Sequence, residues 1–597
     1  MKILLFIFII LCLIAPSGAV TVCASGCDYN TVGHAIVDET GGTIEIRDQQ
    51  SGATVPVGET YDIYGSGAAA VLTSAMTINS NNSKLHDLSY YPLSGSYSVS
   101  DIYGNDVRIY NINFTTRNIL RTWGKNILIY DNIFGGIGID TPIQSYFNDN
   151  GVISGNSISN TSVCIEFSGN NVNVHDNIME LCHNNGIFVD EHTNDSYIRD
   201  NIIINSASGI AESGAIANRY YNNIYSGNNI SNFSEYGILI KGGVNSIIEY
   251  NDIYSGVGVN AYGITHYFLS SGDIIRSNTI HDVQNSAIYY KNGGNYSSLI
   301  SNNIIYNVSK GIKTDAGTSD LTIYGNNINN ASYGLYFPSD NKYNTIHSNY
   351  ISNSSLSCLY ISNFLNSSVY NNYFNNTVNF TLGGTFSGTK FNITNTSGVN
   401  IIGTSNIGGN YWSNPTFTGY SNTCIDANND NFCDVQFNLS AILVDYLPLS
   451  LNGTSFIPPF DPSIAYKAAG YIKNNFNISV NNANVTFWNL THSISTTTNA
   501  AGFYNLTAYL VNGIYNFSVS KSGYVTNSGY GTIYTNGQLF INMSLYNVVY
   551  IGQCIDVTDG SVLNLCPVRF FQTNFYGNGT GKWFNTTANL SGYYELF

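Results

Sequence analysis

A short motif, Asn-x-Ile or close to it, recurs at Asn132, Asn156, Asn177, Asn201, Asn228, Asn251, Asn278, Asn302, Asn326, Asn349 and Asn372. Its steps run from 21 to 27 residues, centred on about 24. A second motif travels in phase with it: "GIFV" at Gly186, "GILI" at Gly237, "GITH" at Gly263, "GIKT" at Gly311 and "GLYF" at Gly334. Repetition at one period restricts a chain to stacked units. Short β-branched and aromatic strands between Asn, Gly and Ser turns cannot bury an apolar face alone. Stacked coil on coil they can, each strand hydrogen-bonding its copy as a parallel sheet. A leucine-rich repeat would need a leucine scaffold that is missing, and a propeller would need a longer period. The pattern predicts an all-β chain built on a parallel β-helix of about 12 to 14 coils. The repeated Asn is expected to supply left-handed turn positions and a ladder of stacked amides.

Composition agrees and excludes one partner class. Only 10% of residues are charged, and the net charge is −16. No basic stretch exists for a nucleic acid to meet.

The opening "MKILLFIFIILCLIAPSGAV" reads as a secretory signal, residues 1–19, and places the remainder at the cell exterior or cell surface. Local pairing is expected for Cys23 with Cys27, Cys164 with Cys182, Cys424 with Cys433 and Cys554 with Cys566, leaving Cys358 over. About two dozen Asn-x-Ser/Thr sequons suit a glycosylated surface.

On these repeats the chain resembles right-handed parallel β-helix proteins of the pectin-lyase-like group. It is most similar to the NosD-like and carbohydrate-binding/sugar-hydrolysis repeats of secreted archaeal and bacterial proteins. The stretch "CASGCDYNTVGHAIVDETGGTIEI" looks like their N-terminal cap: a short helix burying Val32, Ala35 and Ile36, then a strand. The expected organisation is a cap and first coil over 20–60 and coils over 61–450. A Pro-rich linker follows at 451–465. Residues 466–546 resemble a carboxypeptidase regulatory-like (transthyretin-like) β-sandwich, and 547–597 a second copy lacking roughly forty residues. Such modules are spacers or binding domains, and the natural chain is expected to continue beyond Phe597 into the missing strands and a membrane or envelope anchor; the alternative is a second chain that donates those strands.

Strand alternation sets the residue after each Gly inward and the next outward. The outward column then holds Phe188, Leu239, Thr265, Tyr289, Lys313, Tyr336 and Tyr360, with Asp190, Lys241, Tyr267, Lys291 and Asp315 two positions on. Aromatic rungs one coil apart offer a stacking face for sugars, and the charges beside them can meet uronic acids directly or through calcium. The structural alternatives are an ion pair of Lys291 with Asp315 and a cation–π rung of Lys313 between Tyr289 and Tyr336. The expected partner is a polysaccharide or glycoprotein surface. The first reading is a non-catalytic binder, adhesin or envelope component; the alternative is a secreted polysaccharide lyase or glycoside hydrolase. No polygalacturonase-like Asp-Asp or Gly-His-Gly is present. If the face is enzymatic, the candidates are Asp190, Glu191, Lys241, Lys291 and Asp315. Glu191 and His192 are expected in a solvated turn. Copper, which the NosD name suggests, finds no Met/His/Cys cluster in a chain with 4 methionines.

"GGNYWSN", "CIDANNDNFCD" and "VDYLPL" resemble the closing coil of NosD-like surface proteins. Asp426, Asn428, Asp430, the Phe432 carbonyl and Asp434 match a reduced calcium loop, with Asn431 replacing the usual Gly and Phe437 standing where the bidentate Glu would be. A structural Ca²⁺ beside the Cys424–Cys433 bridge would rivet the open end of the stack.

Overall fold

The computed structural model describes residues 19–451 except 92–97, 115–117, 136–140, 214–219 and 268–269. Beyond 465 it describes the strands of residues 466–596 without the short segments between them. Residues 1–18 of the expected signal at 1–19, most of the expected linker, and Cys554 with Cys566 lie outside the described residues. The chain divides into two compact units, 1–456 and 457–597.

The first unit opens with the expected cap. Thr31 Oγ1 accepts the His34 N–H at 3.2 Å and starts the helix Val32–Asp38, which buries Val32, Ala35 and Ile36. Coils follow. In each, a short strand joins a 16-stranded parallel sheet running from Val20–Val22 to Ser368–Tyr370. The chain then contributes two further runs to a second, 24-stranded sheet. In several coils these runs are one bent strand, such as Thr279–Lys291, whose register slips between Val283 and Ser286. We call them the second and third runs. Alternation buries one residue in two, so register builds inward columns. Ile248, Ile275, Ile300, Ile323 and Ile346 stack in successive coils with no exposure. This is the apolar core that no single coil could make.

Corners are made by left-handed residues. In the turn before the second run, Asp131, Asp176, Asp200, Ser277, Asn302 and Asn371 have φ of 54–56°. Each precedes the repeated Asn, which itself has ordinary backbone geometry. This corrects the expectation that the repeated Asn supplies the turn, and in one coil it shifts the residue: the rung is Asn303, not Asn302. The rung's real work is hydrogen bonding. Asn132 Nδ2 donates to Asn156 Oδ1 at 3.0 Å, and the same bond repeats through Asn177, Asn201, Asn228, Asn251, Asn278, Asn303, Asn326, Asn349, Asn372 and Asn410 at 2.9–3.0 Å. The ladder ends on a carboxylate: Asp445 Oδ2 accepts the Asn410 N–H at 2.8 Å and the Trp412 indole N–H at 2.9 Å. A carboxyl oxygen that accepts from two donors at once is a suitable terminus for a chain of donors.

The glycine of the second motif also has a steric cause. A Cβ on Gly186 would lie 2.4 Å from Ile203 Cγ2 and 2.7 Å from the Gly209 carbonyl oxygen. Cys358, fully buried and unbridged, occupies this column's last position, and burial pushes its thiol well up. Bridges join Cys23 with Cys27, Cys164 with Cys182, and Cys424 with Cys433, as expected.

The second unit forms antiparallel-rich sheets. One contains Tyr466–Asn474 and Phe503–Leu510, the other Asn484–Trp488, Ser493–Thr497, Gly513–Ser520 and Asn527–Ile533. Phe487 of one and Tyr504 of the other are buried, their ring centroids 6.2 Å apart. The last strands form two antiparallel pairs, Tyr550–Gln553 with Tyr593–Leu596 and Pro567–Thr573 with Gly579–Thr587.

Candidate functional site

The outward column of the third run exists and is longer than the motif revealed. Paired residues run Asp101, Arg121, Gln144, Glu166, Phe188, Ala211, Leu239, Thr265, Tyr289, Lys313, Tyr336, Tyr360 and Thr381. Lys241, Tyr267 and Lys291 are successive neighbours in the parallel column two residues on. Asp315 follows Thr314, the partner of Tyr290, and therefore stands beside Lys291. Asp190 lies further back in the same column, after Val189. Glu191 and His192 sit in a turn, as expected, and do not join the face.

Outward register does not mean exposure. Leu239, Thr265 and Tyr289 are 5%, 0% and 4% exposed. The reason at Tyr289 is visible: the Tyr262 ring lies 5.0 Å away, and Lys313 Nζ sits 3.8 Å above the ring centroid.

Two expected pairings are corrected. Lys291 and Asp315 do not form an ion pair: Asp315 accepts the Tyr289 hydroxyl at 2.7 Å and the Asn292 N–H at 2.9 Å, while Lys291 lies over Tyr267 at 4.8 Å. Lys313 bridges Tyr289 and Tyr262 rather than Tyr289 and Tyr336; Lys310, a residue the motif did not flag, takes Tyr336 at 5.5 Å. Tyr336 stacks on Tyr360 at 4.7 Å, and Tyr333 packs against both. The result is a cluster of three ammonium groups on tyrosine faces. Burial pulls the Lys310 and Lys313 amines below their ordinary range; for Lys313 the neighbouring lysines act the same way, while Asp315 opposes. Crowded, partly desolvated cations of this kind gain most from an anion.

Beneath this face the core turns polar. Glu212, His266, Asp273 and Tyr290 have no exposure. Glu212 accepts the Tyr225 hydroxyl at 2.8 Å and the Lys241 N–H at 2.6 Å. His266 Nδ1 stands 3.2 Å from Asp273 Oδ2, and its ring stacks on Tyr290 at 4.8 Å. None of these was legible, and Ala211 and Glu212 were missed outright. The 51 residues from Gly186 to Gly237 are two periods, which marks the skipped coil at Gly209.

The closing loop does not gather its carboxylates. Asp426 Oδ1 and Oδ2 accept the N–H groups of Asp430 and Asn431, Asp430 Oδ1 accepts that of Phe432, and Asp434 Oδ2 that of Ala427. Among the described residues, no three His, Cys, Asp or Glu side chains converge as a metal site.

Comparison with known proteins now bears on the fold. A model described as "Right handed beta helix region" matches residues 182–328. The fold is a right-handed β-helix. A second model, "Periplasmic copper-binding protein (NosD)", matches residues 357–417. That segment contains no His and no Met, and its single Cys358 is buried, so its donor set does not fit copper. No curated protein matches the chain. Among solved structures, the α-1,3-glucanase catalytic unit of Streptomyces thermodiastaticus is similar at 14% identity, 63% of this chain and 69% of that one, TM-score 0.38. The tailspike of Escherichia coli bacteriophage HK620, in complex with a pentasaccharide, is 12% identical over 60% and 73%, TM-score 0.38. The mannuronan C-5 epimerase A-module of Azotobacter vinelandii is 14% identical over 52% and 91%, TM-score 0.35. Likeness at this level concerns the fold alone.

Proposed function

We propose that this protein is an exported binder of acidic polysaccharide, and that the ligand lies on the third-run face against Lys291, Lys310, Lys313 and their tyrosines. The observation that carries the reading is the concentration of cations on aromatic rings in a chain of net charge −16. The tyrosine rings hold the ammonium groups in place, and these meet carboxylates or sulfates. The three disulfides among the described residues support a place outside the reducing cytosol.

A panel of acidic and neutral polysaccharides immobilised on an array tests this. Acidic members should be retained and released by salt, and Lys291→Ala combined with Lys313→Ala should weaken retention about tenfold or more, the equivalent of about 1.4 kcal/mol. Retention of no acidic polymer, or equal retention by the double variant, would refute the reading. Release of unsaturated uronates during the same incubation would instead make the face that of a lyase.

Structural calcium at Asp426, Asn428, Asp430, Phe432 and Asp434 is the second part of the proposal; it rests on the alternation of oxygen donors in the sequence, and the ion would have to draw Asp426, Asp430 and Asp434 from the N–H groups they accept. EDTA should then lower the melting temperature of the wild type by several degrees and leave Asp426→Ala unaffected. Superimposed melting curves with and without chelator would leave a loop held by its disulfide and N–H bonds alone.

A further inference from the structure

The face that bears the lysines continues toward the N-terminus through coils that lack the Gly-Ile motif. There the outward column reads Asp101, Arg121, Gln144 and Glu166. Two positions on stands a ladder of aromatic rungs, Tyr103, Trp123 and Tyr146. The Trp123 N–H bonds the Ile102 carbonyl and the Tyr146 N–H the Thr122 carbonyl, both at 2.8 Å, which fixes the three in successive coils. Tyr103 is 50% exposed and Trp123 39%. The Trp123 and Tyr146 rings lie 4.9 Å apart.

The polar column beside the rungs is organised. Arg121 Nε and Nη2 donate to the two oxygens of Asp101 at 2.8 and 3.1 Å, which aims the guanidinium and cancels one charge. The Tyr146 hydroxyl bonds Glu166, whose carboxyl is pushed up by burial, with the charge of Asp190 acting the same way. Lysines dominate the other end of the face, whereas this end carries Glu166 and Asp190. One sheet face is thus divided by sign.

We propose that Tyr103, Trp123 and Tyr146, edged by Arg121, Gln144 and Glu166, form a second carbohydrate site that takes an uncharged, linear oligosaccharide lying along the axis of the coils. Rungs repeat every coil, about 4.8 Å, so consecutive sugars of a chain lying along the axis meet consecutive aromatic rungs. The amide, guanidinium and carboxyl beside them match a row of hydroxyls with both donors and acceptors. Glu166 and Asp190 repel a uronate, so the site discriminates against the ligand proposed for the lysine end.

Calorimetric titration of the intact chain with cellohexaose, chitohexaose, maltohexaose and an oligouronate tests it. At least one neutral hexamer should bind, and Trp123→Ala should weaken it about tenfold or more while leaving oligouronate binding unchanged. Lys313→Ala should do the reverse, so the two sites fail separately. Trp123 and Tyr103 are surface residues, so Tyr103→Ala serves as a second variant; an unchanged melting curve confirms that both fold. The proposal is overturned if no neutral hexamer binds, if both aromatic variants bind as the wild type does, or if neutral and acidic ligands compete for one site.

Discussion

Between about pH 5 and pH 8 the β-helix is expected to lose stability steadily, and Glu212→Gln is expected to remove most of that loss. Glu212 lies in the core with no exposure, and burial pushes its carboxyl up to about 8; the Tyr225 hydroxyl pulls the other way, and the charge of Asp273 adds to the rise. Unfolded, the same group titrates near 4.5. In that window the folded chain therefore holds a proton that the unfolded chain has released, and stability falls as pH rises. It is fully present below about 4.5 and lost as pH rises through about 8. At 1.36 kcal/mol per pH unit the whole displacement is worth on the order of 5 kcal/mol. Asp445, which burial pushes up to about 7, adds loss of the same sign. Glutamine can turn its single oxygen to the Lys241 N–H and its amide N–H to the Tyr225 hydroxyl oxygen, and it has no charge to bury. Melting temperatures at fixed scan rate from pH 5 to 8 should converge for wild type and variant at the acid end. At pH 8 the variant should melt several degrees higher. Parallel curves would mean that Glu212 keeps its proton, or its charge, in both states.

The buried cluster also shows where the sequence stops being readable. A glutamate at an inward position breaks the alternation from which inward positions are inferred, so Glu212, in the coil the motif missed, looks like a surface residue until register is known. Register itself was readable wherever the Gly-Ile motif marked it. The columns from Phe188 to Tyr360 and from Lys241 to Asp315 run as alternation predicts, with Ala211 the one residue missed. What alternation cannot give is side-chain direction. Lys291 and Asp315 are neighbours by register, yet one leans to Tyr267 and the other takes Tyr289 and the Asn292 N–H. The aromatic rungs at Tyr103, Trp123 and Tyr146 were invisible because their coils close without the glycine. The cap was legible in full, because a seven-residue helix with one Thr cap offers only one apolar face.

Adjacent Asn302 and Asn303 carry the other large expected effect, since the repeat read from the sequence picks Asn302 and the rung is Asn303. Asn303 has no exposure and sits mid-ladder. Its Oδ1 accepts both the N–H and the Nδ2–H of Asn278 at 3.0 Å, and its own Nδ2 donates to the Ile275 carbonyl at 3.0 Å and to Asn326 at 2.9 Å. Asn303→Leu, close in volume, would leave two donors on Asn278 without partners in a region water cannot reach, and would take the side-chain donor from the Ile275 carbonyl. At about 1–3 kcal/mol for each orphaned group, a loss of about 2–6 kcal/mol is expected, read as a large fall in melting temperature. Asn302 is exposed, with φ of 54°, and works through its backbone, its N–H reaching the Tyr324 carbonyl at 3.1 Å. Glycine adopts that conformation freely, so Asn302→Gly should stay within about 1 kcal/mol of the wild type. The contrast matters more than either value. Each rung is both acceptor and donor to its neighbours, so a break at Asn303 separates the ladder into two stacks that no longer polarise one another. Equal losses at 302 and 303 would show that the amide column is dispensable and that apolar stacking alone holds the coils together.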